Sequence, residues 1–272
     1  MTILNLLYDI PAVVLLVLAV VVVVTVAGAG QLFVHAEFRR RDFIAHNEVG
    51  GIIITVAGTL FAVVLGFLTV VVWQHYQEAS ALVVLKSDAD IDVWHSSVGL
   101  PAALRDRVRN DMIGYANIMV AKEWPLMKHR AFDATAAMVS MDAIDAAGEF
   151  LPANMGQSNA QVATLRELGV LHDARQQRIA ANDSGVSGFE WLVLSIGAIC
   201  IVCFCWLFGL NNRFLQVLMT STVVTIIVSI LVLLLELQYP FRSDVGIGPD
   251  AWKGAIEHMH QRQTGPMPNM RI

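Results

Sequence analysis

Residues 48–73 read EVGGIIITVAGTLFAVVLGFLTVVVW, an apolar run in which Glu48 is the one charged side chain. About 20 such residues carry a helix across a hydrocarbon layer, and this run is longer than that. It lacks the alternation of a barrel strand, and in lipid the backbone must be satisfied within the segment, so the run is a helix. On that helix Glu48, Gly51, Thr55, Gly58, Ala62, Gly66, Thr69 and Trp73 recur every three or four residues and share one face. The other faces carry Ile, Val, Leu and Phe. A small, weakly polar ridge therefore looks toward something other than lipid. The run closes on Trp73, Gln74, His75 and Tyr76, amphipathic side chains suited to the headgroup level.

Three further apolar runs accompany it, at residues 11–34, 191–210 and 214–235. Of the 272 residues 56% are hydrophobic and 15% charged, and the mean hydropathy is +0.60. A soluble domain carries roughly 25% charged residues. The composition excludes an ordinary soluble globule and predicts an all-α integral membrane protein with four transmembrane helices. Only Asn211, Asn212 and Arg213 separate the last two runs, which predicts an antiparallel hairpin, and the first two runs form the other hairpin. The first run reads as an anchor, because Asp9 and no Lys or Arg precedes it and it is longer than a secretory segment. A cleaved leader is the alternative, with Ala27-Gly28-Ala29 as its small-residue site. The net charge of -5 and pI near 5.9 exclude nucleic acid as a partner, since phosphate binding needs clustered cations.

Between the hairpins, residues 77–188 are polar with apolar positions recurring at three and four, which predicts an all-helical domain inserted between the second and third spans. Leu82, Leu85, Ala89 and Val93 carry the second helix past the membrane, and Gly99-Leu100-Pro101 ends it. The next helix is expected to stop at Trp124, before Pro125. Two more are expected over 132–150 and 161–179, separated by breakers over 152–159. After Tyr239 the Pro- and Gly-containing tail predicts loop with one short helix around Trp252. The expected domains are 1–76, the first transmembrane hairpin; 77–188, the inserted domain; 189–238, the second hairpin; and 239–272, an extramembrane tail.

Four spans place the inserted domain and both termini on one face and the short links on the other. The links carry Arg39, Arg40, Arg41 and Arg213, while the cations near a membrane boundary on the opposite face are Lys86, Arg175, Arg178, Arg242 and Lys253. Arginine density favours cytoplasmic links and an extracytoplasmic inserted domain.

Two readings compete for the ridge of the second span. Small residues at this spacing let helices approach closely. They also suit a pore wall repeated around a symmetry axis, with Phe61 or Phe67 as an apolar constriction. His46-Asn47-Glu48-Val49 stands at the mouth, where Asn47 as N-cap and Glu48 in the first turn complement the helix dipole, or where a ring of Glu48 attracts cations. Glu236 at the far end of the fourth span either snorkels or shares a proton or cation with Glu190, which opens the third span on the same side. Asp88, Asp90 and Asp92 begin like a calcium loop, but Val93 and Gly99 stand where the Gly and bidentate Glu belong, which leaves at most a looser acidic site. Cys200, Cys203 and Cys205 lie within a span without sharing one face and act as small apolar residues. His258 and His260 in the tail could bind a metal, but two histidines in a Met-rich tail are weak evidence for one. No phosphate loop, metalloprotease pair, nucleophile elbow or dinucleotide fingerprint is present, so no enzyme, cofactor or metal is predicted.

The order His46-Asn47-Glu48-Val49-Gly50, Glu123-Trp124-Pro125 and Tyr239-Pro240-Phe241, on two-plus-two spans, resembles the bestrophin-like domain-of-unknown-function proteins of bacteria and plants. The resemblance covers most of the chain. It implies the architecture of bestrophins, pentameric chloride channels with four spans and a large helical domain between the second and third. From it follows the expectation of a pore-forming subunit of a homo-oligomeric ion channel in the bacterial inner membrane, a pentamer by resemblance, with the second helix lining the path of the permeant ion. Glu48 favours cations. The alternative is a non-conducting membrane scaffold or envelope sensor whose inserted domain binds a partner.

Overall fold

The computed structural model describes residues 7–37, 47–183, 185–210 and 212–264. Arg39, Arg40, Arg41, His46 and Asn211 lie outside the described residues. Within them every regular element is helical: α1 (Ala12–Glu37), α2 (Asn47–Ser96), α3 (Ala102–Ile118), α4 (Trp124–Met127), α5 (Ala134–Gly148), α6 (Met155–Asp183), α7 (Gly188–Trp206), α8 (Arg213–Leu237) and α9 (Asp250–Thr264). Among the described residues, α1, α2, α7 and α8 are long and apolar enough to cross a membrane. The chain is a multi-pass membrane protein.

One compact unit takes in α1, α2 as far as Tyr76, α7, α8 and Ser243–Val245. Here α1 lies along α8, burying Leu15 and Ala27 against Val224, Val228 and Val232. A Cβ on Gly30 would stand 2.5 Å from the Trp206 ring, so only glycine permits that approach. Phe61, Leu65 and Val72 of α2 pack with Leu194 of α7 and Leu234 of α8. The starts of the last two spans are fixed by side chains. Ser187 and Glu190 form a reciprocal capping box on α7, and the Asn212 carboxamide oxygen accepts from the Phe214 and Leu215 amides on α8.

The second unit takes in the rest of α2, α3 to α6, Pro240–Arg242 and α9. Its core is built on Trp94, Tyr115, Met119, Leu168, Phe241 and Trp252. Three expectations are corrected here. The helix after Pro101 does not stop at Trp124. A π turn over Met119–Glu123 leads into α4, with Pro125 in its first turn. The wider turn alters the hydrogen-bond ladder before the residue that has no N–H, so the proline is accommodated. The chain breaks instead at Arg130, whose φ of 58° closes a Schellman turn in which Ala131 N donates to Leu126 O and Arg130 N to Met127 O.

The helix expected from residue 161 begins at Met155, because the Asn154 carboxamide accepts from Gln157 N at 2.9 Å while Gln157 Oε1 accepts from Ala153 N at 2.8 Å. The breaker run is thus partly the cap of a 29-residue helix. The helix around Trp252 is not short: α9 has 15 residues and seats Trp252 fully in this core. Lys86, Arg175, Arg178 and Arg242, read above as cations near a membrane boundary, are buried within this unit.

Candidate functional site

The ridge of α2 is open within the subunit. At Gly51, Gly58 and Gly66 no neighbouring atom lies within 4 Å of where a Cβ would stand. Thr55, Ala62 and Gly66 are exposed, and Thr69 is half-buried. Thr55 Oγ1 donates to Gly51 O at 2.7 Å and Thr69 Oγ1 to Leu65 O at 2.8 Å, so both hydroxyls are satisfied along the helix itself. Gly30 and Gly197 behave oppositely, since each admits an aromatic ring from a neighbouring helix. Small residues serve close packing at those two positions, and the ridge does not serve it inside one subunit. Of the apolar part of α2, 6% is buried, against 33% in α8.

Phe61 and Phe67 do not stand on the ridge. The Phe61 ring sits against Gly197 of α7, where a Cβ would meet it at 2.5 Å, so it belongs to packing within the subunit. Phe67 is exposed but lies nine residues after Gly58, about 180° around a helix that turns about 100° per residue. Neither supplies the expected constriction on that face.

At the mouth, Asn47 is the first residue of α2, and its side chain clamps another segment. Asn47 Nδ2 donates to Gly209 O at 2.7 Å, and Gly209 N donates to Asn47 Oδ1 at 3.1 Å. The expected role as a cap of its own helix is therefore replaced by a tie to the turn after α7. Glu48 follows in the first turn and is exposed. Glu190 and Glu236 are not brought into a shared site. Glu190 is held by the Ser187 amide in the capping box, while buried Glu236 accepts from Ser243 Oγ. Asp90 is fully buried and Asp88 and Asp92 are exposed, so the three aspartates do not converge either.

A second cluster escaped the reading of the sequence. In the helical unit Lys86, Asp90, Glu123 and Arg178 are all 0% exposed and Arg175 is 5% exposed. Arg178 Nη2 donates to Glu123 Oε1, and Arg175 Nε lies 3.5 Å from Glu123 Oε2. Lys86 Nζ and both Asp90 oxygens have no hydrogen-bond partner. Burial, reinforced by the nearby Arg178, lowers the Lys86 ammonium to about 6, and burial raises the Asp90 carboxyl well above its ordinary range. Both residues fall on the inward stripe of α2 with Ala79, Val83 and Val93, and that periodicity was the available signal.

Comparison with known proteins shows what this architecture is shared with. No curated protein matches. Two variants of a bacterial bestrophin homologue from Klebsiella pneumoniae superpose with TM-scores of 0.66 and 0.68, each at 14% identity. The matches cover 91% and 92% of this chain and 99% and 98% of theirs. At such identity the likeness shows a common fold. The Bestrophin-like domain model matches residues 12–252, nearly the whole chain, and the protein belongs to that family.

Proposed function

We propose that the protein is the pore-forming subunit of a homo-oligomeric ion channel in which α2 lines the pore, with Glu48 at its mouth and Gly51, Thr55, Gly58, Ala62, Gly66 and Thr69 along its wall. Four spans in two hairpins would surround that wall in each copy. The observation that carries this reading is the open ridge, where three glycines meet nothing within 4 Å. An apolar stretch of α2 of which only 6% is buried by its own chain is available to other copies. Membership of the Bestrophin-like family, whose relatives in solved structures are bestrophin homologues, supports a channel over an enzyme.

The test is conductance of the purified protein in planar bilayers, with Gly58→Trp as the control. The wild type is expected to conduct, and the bulky side chain to abolish or sharply reduce current while the oligomer keeps its mass. An intact wild-type oligomer that passes no current would leave the non-conducting scaffold.

A further inference from the structure

A cavity of about 260 Å³ in the transmembrane unit is lined by residues from all four spans, among them Gln31 of α1, Ile54 of α2, Cys205 of α7, and Gln216 and Thr220 of α8. Its walls are otherwise apolar. Gln31 is 2% exposed, and neither its Nε2 nor its Oε1 has a hydrogen-bond partner. The neighbouring Gln216 amide is already engaged: its Nε2 donates to Phe208 O and lies 2.7 Å from His35 Nε2. A buried amide with donor and acceptor both unused is costly in an apolar medium, and polar groups at membrane depth mark functional sites.

The depth indicates the ligand chemistry. Gln31 lies less than two turns from the end of α1, Gln216 is in the first turn of α8 and Cys205 is in the last turn of α7. That level is where hydrocarbon gives way to the polar region of a bilayer. A molecule that fits has an apolar body and a carbonyl oxygen at this height. We infer that the cavity is a binding site for a membrane glycerolipid, with an ester carbonyl of the lipid accepting a hydrogen bond from Gln31 Nε2 and its chain leaving toward the bilayer past Ile54 and Val223. A lipid-soluble quinone carries the same carbonyl chemistry and is the competing source. Ile54 precedes Thr55 of the ridge, so an occupant touches the helix assigned to the pore. The site itself does not depend on conduction.

The test is native mass spectrometry of the delipidated full-length protein titrated with dioleoyl phosphatidylglycerol, with its diether analogue that lacks the carbonyls, and with decylubiquinone. The wild type is expected to bind the diester about three- to tenfold more tightly than the diether, the range one neutral hydrogen bond supplies. Gln31→Leu should bind the two equally, and Thr220→Trp, which crowds the cavity from a buried position but keeps the amide, should weaken both. Circular dichroism confirms that each variant is folded. Equal binding of diester and diether by the wild type, retained discrimination in Gln31→Leu, or tight binding of decylubiquinone alone would overturn the assignment.

Discussion

The ionisable side chains fall into two groups whose tests differ. Glu48 is exposed at the start of α2, where a carboxylate complements the unpaired N–H groups of the helix end. If copies of it ring a pore entrance, Glu48→Gln reduces cation preference, read as a shift of the reversal potential in a salt gradient; an unshifted potential removes the ring. The buried group answers to stability instead. Glu123 pairs with Arg178 and Arg175 in a buried core, so Glu123→Ala is expected to cost about 3–5 kcal/mol by leaving buried cations uncompensated. A loss below about 1 kcal/mol in denaturant unfolding would show that the charges rearrange to water.

Lys86 and Asp90 pull stability in opposite directions with pH. The folded Lys86 releases its proton near 6, far below the unfolded chain, so the unfolded state binds more protons above that pH and stability rises. Folded Asp90 holds its proton above the ordinary aspartate range, so stability falls as the pH rises past that range. In Asp90→Asn the melting temperature should climb as the pH rises above about 6, and in Lys86→Met it should decline as the pH rises past the ordinary aspartate range. Slopes of the same sign in both variants would contradict this assignment.

At the scale of elements, the four spans were legible because each is an uninterrupted apolar run, a signal that needs no partner to interpret. The ends of the extramembrane helices were less so. Pro125 reads as a terminator unless the π turn before it is known, and the true stop at Arg130 has an arginine where glycine usually marks a Schellman turn. The cap in which Asn154 accepts from Gln157 N and Gln157 from Ala153 N hides inside a run of Pro, Gly and Asn that looks like loop. The ridge of α2 was legible as a face, but its surroundings were not, since spacing alone cannot tell a glycine that admits a ring, such as Gly197, from one that meets nothing, such as Gly58. The place of Phe61 was illegible for the same reason: periodicity does not show that its ring lies against Gly197 of α7.

For the whole molecule, the subunit by itself leaves its longest span the least covered, and the proposed self-association would give that span a partner. If α2 lines the pore, its ridge faces water in the assembled protein. Cysteine accessibility tests it most directly. In a background with Cys200, Cys203 and Cys205 replaced by alanine, single cysteines are placed along α2 and exposed in liposomes to a charged, membrane-impermeant thiol reagent while ion flux is followed. Modification and block are expected at Gly51, Thr55, Gly58 and Ala62, and none at Ile53, Val56, Leu60 and Phe67 on the other faces. Protection of all ridge positions, or reaction without regard to face, would contradict that lining role.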